Sequence, residues 1–122
     1  MLLDTYAWIE FFNGTSKGEN VKELIGKTEC FTSAISIAEL SEWIEREGLE
    51  RQKIMGYVKG LSTILALEND SLELAGIIKI EKRKNVKGIS LIDSIIIATA
   101  RQYKLQIITG DAHFKGENVL ML

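Results

Sequence analysis

A chain of 122 residues that is 46% hydrophobic and 26% charged can bury one sizeable core without disulfides or a structural metal. Its net charge of −2 and isoelectric point near 5.5 exclude a protein that holds nucleic acid mainly through bulk positive charge, but not an enzyme that meets it at one local site. The lone cysteine, Cys30, excludes an internal disulfide and suits a reducing compartment. With no proline, low-complexity tract or internal repeat at which to divide the chain, a single domain over residues 1–122 is expected. Asp4 breaks the apolar start Met1-Leu2-Leu3, and no apolar run reaches the length of a membrane span. Neither a signal peptide nor a membrane segment is therefore expected, and the expected compartment is the cytoplasm.

Met1 to Asp4 reads as a short buried strand, and Thr5 to Phe12 as a helix with a wide apolar face, ended at Asn13-Gly14. Ser16 is a candidate cap for a second helix through Val21, Leu24 and Ile25, closed by Gly26. Glu29 to Ser33 reads as a second strand, with Cys30 a small core residue. Ser36-Ile37-Ala38-Glu39 has the form of a capping box and opens a helix through Leu40, Trp43 and Ile44 to Gly48. Residues 50–61 read as a helix with Ile54, Tyr57, Val58 and Leu61 inward, and Thr63 to Leu67 as a third strand. Asn69, Asp70 and Ser71 are candidate caps for a helix from Leu72 to about Lys84. Trp8, Phe11, Phe12 and Trp43 fall on helical faces and are most simply core.

The most informative stretch follows. Leu91, Ile92, Ile95, Ile96, Ala98, Thr99 and Ala100 cover most of the circumference of a helix, which should be buried on nearly every side. Asp93 is the exception. Ser90 is a good N-cap three positions before it, so this carboxylate falls in the first turn, where the helix amides favour negative charge. Leu105 to Ile108 reads as a buried strand that stops at Thr109-Gly110-Asp111, and Val119 to Leu122 as a last strand. Strands alternating with helices indicate an α/β domain around a mostly parallel central sheet. Two successive helices separate strands three and four. Residues 85–90 span only about 20 Å when extended, so the first of the two helices is expected to lie obliquely.

In such a sheet Asp4, Glu39, Asp93 and Asp111 all belong to the edge where the strands end, the edge at which open α/β sheets bind ligands. Taken singly, each has a structural explanation: three can cap or complement helix starts, and Asp111 can be a turn residue. Together, four carboxylates at one edge would repel one another and weaken the fold unless a cation joined them. Mg²⁺ or Mn²⁺ fits such an oxygen-rich set, and a metal site of this kind suits phosphodiester hydrolysis.

The motifs Leu2-Leu3-Asp4-Thr5, Ser36-Ile37-Ala38-Glu39-Leu40, Asp93-Ser94-Ile95-Ile96-Ile97-Ala98-Thr99-Ala100 and Thr109-Gly110-Asp111-Ala112-His113-Phe114 stand in the order and spacing of a known family. The chain resembles a PIN domain, in layout a VapC-type toxin ribonuclease. The resemblance implies a three-layer PIN-like fold, Mg²⁺- or Mn²⁺-dependent cleavage of single-stranded or loop RNA, homodimerisation, and inhibition by a small antitoxin. It also carries the acidic set over to Asp4, Glu39, Asp93 and Asp111, with Thr109 as the supporting hydroxyl. Asp4, Asp93 and Asp111 are expected to hold the metal directly. Glu39 is expected to complete the shell or to hold a second metal or its water, and Thr109 to orient Asp4 or Asp111. Tyr6 and Gly110 depart from the family pattern, which has a small polar residue and a larger residue there.

His113, the only histidine, is read as a loop residue, because the carboxylate set is complete without it. Lys79, Lys82, Arg83, Lys84 and Lys87 are read first as a solvated helix face and second as a guide for an RNA backbone. Three rival readings remain at this stage. A receiver-like phosphoacceptor domain would leave Glu39 and Asp93 idle and lacks a lysine in its last strand. A phosphatase of the Asp-x-Asp type lacks its second Asp, since Tyr6 stands there. A catalytically silent PIN-fold module that binds RNA or protein would share every feature above.

Overall fold

The computed structural model describes residues 1–122. Five short strands, β1 (Leu2–Leu3), β2 (Phe31–Ser33), β3 (Thr63–Leu65), β4 (Ile107–Thr109) and β5 (Val119–Met121), pair in the order β3-β2-β1-β4-β5, every pair parallel. Six helices flank them: α1 (Thr5–Asn13), α2 (Ser16–Lys27), α3 (Ala34–Glu47), α4 (Arg51–Leu61), α5 (Asn69–Lys82) and α6 (Leu91–Tyr103). The strand order also separates the chain from a receiver domain, whose sheet runs 2-1-3-4-5.

The two-residue period of a strand divides the core. Leu3 and Ile108 point to one side, among Trp8, Val21, Leu40, Trp43, Ile44 and Val58 of α1–α4. Leu2 and Ile107, their neighbours in register, point to the other side, among Ala75, Ile78 and Ile95–Ala98 of α5 and α6. A sheet with helices on both faces has no wet side, which is why its strands read as unbroken apolar runs. α6 is buried from Ser94 to Ala100, as its sequence requires. Trp8 and Trp43 are core, joined through stacked Phe12.

Several local readings of the sequence are corrected. Ser36 is not the cap of α3: strand β2 runs into the helix without a loop, so Ser33 is the N-cap and its Oγ accepts from the Ile35 amide. Ser36 lies inside the helix, fully buried, and Glu39 falls in the second turn. Thr15 rather than Ser16 caps α2, and Gly26 is an interior residue of that helix, which ends at Thr28. None of Asn69, Asp70 and Ser71 caps α5, whose N-cap position is Glu68. Tyr57 and Leu61 are 50% and 38% exposed, because α4 turns inward only through Ile54, Met55 and Val58.

α5 and α6 form a helical hairpin. Glu68 and Ser71 at the start of α5 touch Gln102 and Tyr103 at the end of α6, so α5 climbs towards the edge where α6 begins. Residues 83–90 therefore only turn over, closed by hydrogen bonds from the Asn85 and Val86 amides to the Lys82 carbonyl. No helix is long and apolar enough to cross a membrane.

On the other face, α1 and α2 meet backbone to backbone at Gly18, where a Cβ would stand 2.0 Å from the Glu10 carbonyl oxygen. Gly18→Ala should therefore destabilise the protein by about 2–3 kcal/mol. Gly26→Ala, with nothing within 4 Å of its position, should be neutral or stabilising by up to about 1 kcal/mol. Urea unfolding of the two variants measures the difference, and equal midpoints would show that the α1–α2 contact is not this tight.

Candidate active site

The site is built from the ends of β1 and β4. In register with Leu2↔Ile107 and Leu3↔Ile108, the next residues along are Asp4 and Thr109. The Thr109 hydroxyl donates to Asp4 Oδ2 at 3.0 Å and accepts from the Asp111 amide at 3.0 Å. One buried hydroxyl thus ties two acidic residues separated by almost the whole chain. Asp4 occupies the N-cap position of α1, yet its side chain makes no capping hydrogen bond. Capping therefore does not account for it.

Glu39 reaches the same place from the second turn of α3, where Thr5 Oγ1 donates to its Oε1 at 2.7 Å. Asp93 arrives through a complete capping box: its amide donates to Ser90 Oγ (2.9 Å) and its Oδ2 accepts from the Ser90 amide (3.0 Å). Asp111 opens the 3₁₀ turn Ala112–Phe114, its Oδ1 accepting from the His113 amide at 2.8 Å. Hydrogen bonds thus fix each of the four acids, local ones for Asp93 and Asp111 and long-range ones for Asp4 and Glu39.

No lysine or arginine lies within ion-pair distance of any of them. Burial pushes the Asp4 carboxyl up to about 7; hydrogen bonds from Thr109 and the Thr5 backbone work against this, and the charges of Glu39 and Asp93 add to it. Burial also raises Glu39, opposed by the Thr5 hydroxyl and reinforced by Asp93, Glu42 and Asp111. Asp4 and Glu39 therefore feel the charge of the neighbouring acids, with no lysine or arginine beside them to offset it.

Two residues outside the expected acidic set belong here. Thr5 holds Glu39, and the signal for it was a hydroxyl directly after the strand-end acid. His113 is no detached loop residue: its Nδ1 lies 3.1 Å from Asp111 Oδ1 and 3.4 Å from Asp93 Oδ2. Its signal was the Asp-x-His spacing, but the neighbour that matters, Asp93, is distant in sequence. The ligand-type atoms of Asp93, Asp111 and His113 all lie within 4.8 Å of one another, a span that one ion's coordination shell can cover. Asp4 and Glu39 lie outside that triplet, within reach of its charge. A half-buried, acid-rich set with unrelieved repulsion fits a divalent cation.

The two departures at Tyr6 and Gly110 explain each other. A Cβ on Gly110 would stand 2.3 Å from Tyr6 Cε1, so the ring occupies the space that a larger residue would need. The Tyr6 hydroxyl in turn accepts from Lys17 Nζ at 3.0 Å. The basic run divides as well. Lys82 is committed to Glu117, together with Arg101. Lys87 lines a cleft of about 500 Å³ with Asn85, Val86, Ala112, His113 and Lys115.

Because the folded pKa of Asp4 lies above its unfolded value, the folded state binds the extra proton. Its contribution to stability is present below about pH 4 and is lost as pH rises to about 7. In EDTA the protein should melt at a lower temperature at pH 8 than at pH 5. Asp4→Asn should flatten that slope and stabilise the metal-free protein by on the order of 2 kcal/mol at pH 8. Thermal melts across pH measure this, and an unchanged slope in the variant would contradict the burial assigned to Asp4.

The PIN domain family profile matches residues 1–116. No curated protein matches the chain. Among solved structures, the chain is similar to a toxin–antitoxin complex from Klebsiella pneumoniae at 23% identity and a TM-score of 0.78, over 98% of this chain and 95% of that one. It is similar to FitAcB from Neisseria gonorrhoeae at 22% identity and a TM-score of 0.75, over 99% and 95%. It is also similar to VapC20 of Mycobacterium tuberculosis, described as a sarcin–ricin loop cleaving toxin, at 18% identity and a TM-score of 0.76, over 95% of each chain. At these identities the likeness is one of fold.

Proposed function

The chain belongs to the PIN domain family, and we propose that it is a divalent-metal-dependent endoribonuclease, the toxin of a toxin–antitoxin pair. The observation that carries this reading is the gathering of Asp4, Glu39, Asp93 and Asp111 at one sheet edge with no lysine or arginine to neutralise them. The sarcin–ricin cleavage named for VapC20 and the toxin–antitoxin assembly from Klebsiella pneumoniae support the choice of RNA and of an antitoxin partner.

Asp4, Asp93 and Asp111 would hold Mg²⁺ or Mn²⁺, with Glu39 completing the shell or holding a second ion or its water. A bound ion there lowers the pKa of a water and offsets charge developing on the phosphate. The protein's part is to prepare the site. Thr109 fixes the Asp4 carboxylate and the Asp111 backbone together, Thr5 fixes Glu39, and the capping box fixes Asp93. These groups need little reorganisation when substrate arrives. Lys87 and Lys115, beside His113, suit an RNA backbone entering the cleft.

The same reading includes a homodimer and a small antitoxin. α5 carries apolar side chains around its circumference, and Leu72, Ile77 and Ile80 stay exposed while Ala75 and Ile78 are buried. A helix of that kind calls for cover from a partner.

The test is cleavage of a mixed-structure RNA panel in Mg²⁺, Mn²⁺ or EDTA. Wild type should cut only with metal, and Asp93→Asn, with its fold verified by circular dichroism, should lose at least about a hundredfold in rate. A folded wild type that binds metal and RNA but cuts nothing would instead identify a silent binding module.

A further inference from the structure

We propose that His113 is itself a ligand of the metal centre, through Nδ1, and that it makes the centre selective for Mn²⁺ over Mg²⁺. This rests on the reading of the carboxylate edge as a metal site and adds a nitrogen ligand to it. Three observations carry it. First, Nδ1 stands 3.1 Å from Asp111 Oδ1 and 3.4 Å from Asp93 Oδ2. Neighbouring ligands of one octahedral ion with bonds of about 2.1 Å stand about 3 Å apart, so this is the spacing of adjacent ligand atoms.

Second, glycine at position 88 leaves the ring room to lie with Nε2 beside the turn between α5 and α6. Gly88 has φ +82, and a Cβ there would press on His113 Nε2 at 3.3 Å. Nε2 therefore backs onto the turn between α5 and α6 while Nδ1 faces the two acids. Third, the start of the 3₁₀ turn is fixed by the Asp111 side chain accepting from the His113 amide, so ligand and histidine are set as one unit.

The chemical consequence follows from ligand type. Mg²⁺ takes oxygen ligands almost exclusively, and a nitrogen in its shell adds little. Later first-row ions accept imidazole progressively better, and Mn²⁺ is the member of that series that also keeps a carboxylate-rich shell. Replacing one oxygen position by Nδ1 shifts the balance towards Mn²⁺.

His113 is the only histidine in the chain, so ¹⁵N-histidine labelling reports on one residue. Pulsed electron paramagnetic resonance of Mn²⁺ bound to the labelled wild type should show coupling to a directly bound ¹⁵N, and this measurement needs no variant to fold. In a folded His113→Gln variant that coupling should vanish. Mn²⁺ affinity, read from the free-ion signal, should fall at least about tenfold, while Mg²⁺ affinity, read by competition, should stay within about threefold. Mn²⁺ bound without nitrogen coupling would overturn the proposal and leave the carboxylate centre standing. Failure to bind Mn²⁺ at all would overturn both.

Discussion

The candidate site depends on a buried carboxylate at the end of the central strand, held by one hydroxyl from the strand beside it. Parallel pairing of β1 with β4 sets Asp4 against Thr109, and Thr109 uses both its hydrogen and its lone pair, one on Asp4 and one on the Asp111 backbone. A carboxylate that is 6% exposed needs such a partner, because burial of an unpaired charge costs several kcal/mol. The pairing is also tied to the core. Leu2 and Leu3, immediately before Asp4, anchor the two halves of the core on opposite sheet faces. A one-residue slip of β1 would exchange those faces and carry Asp4 away from Thr109.

The other acids join this pair through local structure that the packing then orients. The first turn of α6 is partly exposed, with Leu91 at the surface, but the buried run from Ser94 to Ala100 anchors the helix and the Ser90–Asp93 box fixes the carboxylate on it. β2 passes into α3 without a loop, which sets Glu39 within reach of Thr5. The arrangement concentrates like charge and weakens the metal-free fold. Glu117, by contrast, is largely buried and is paired with both Lys82 and Arg101.

Much of this was legible in the sequence because it is local or periodic. The strand pairs Leu2-Leu3 and Ile107-Ile108, the apolar wrap of α6 and the Ser90-x-x-Asp93 box each announce themselves within a few residues. Two acids after strand ends and two near helix starts could be assigned to one edge from the alternation of strands and helices alone. The misreadings share a cause in tertiary context. Ser36 has the better capping sequence, but the strand ends only at Ser33, so the helix starts there. Tyr57 and Leu61 fit an amphipathic period, yet α4 lies where only Ile54, Met55 and Val58 become buried. The meeting of His113 with Asp93 depends on how the α5–α6 turn, the start of α6 and the 3₁₀ turn come together, which no local spacing announces. Tyr6 and Gly110 are linked only in space, where the Tyr6 ring fills the room that a side chain at position 110 would need.

Anomalous diffraction from crystals grown with Mn²⁺ reports whether these acids hold a divalent cation. An anomalous peak is expected at the sheet edge, within bonding distance of Asp93 and Asp111 and adjacent to Asp4. Ordered carboxylates with no peak among them at millimolar Mn²⁺ would contradict the metal-site reading.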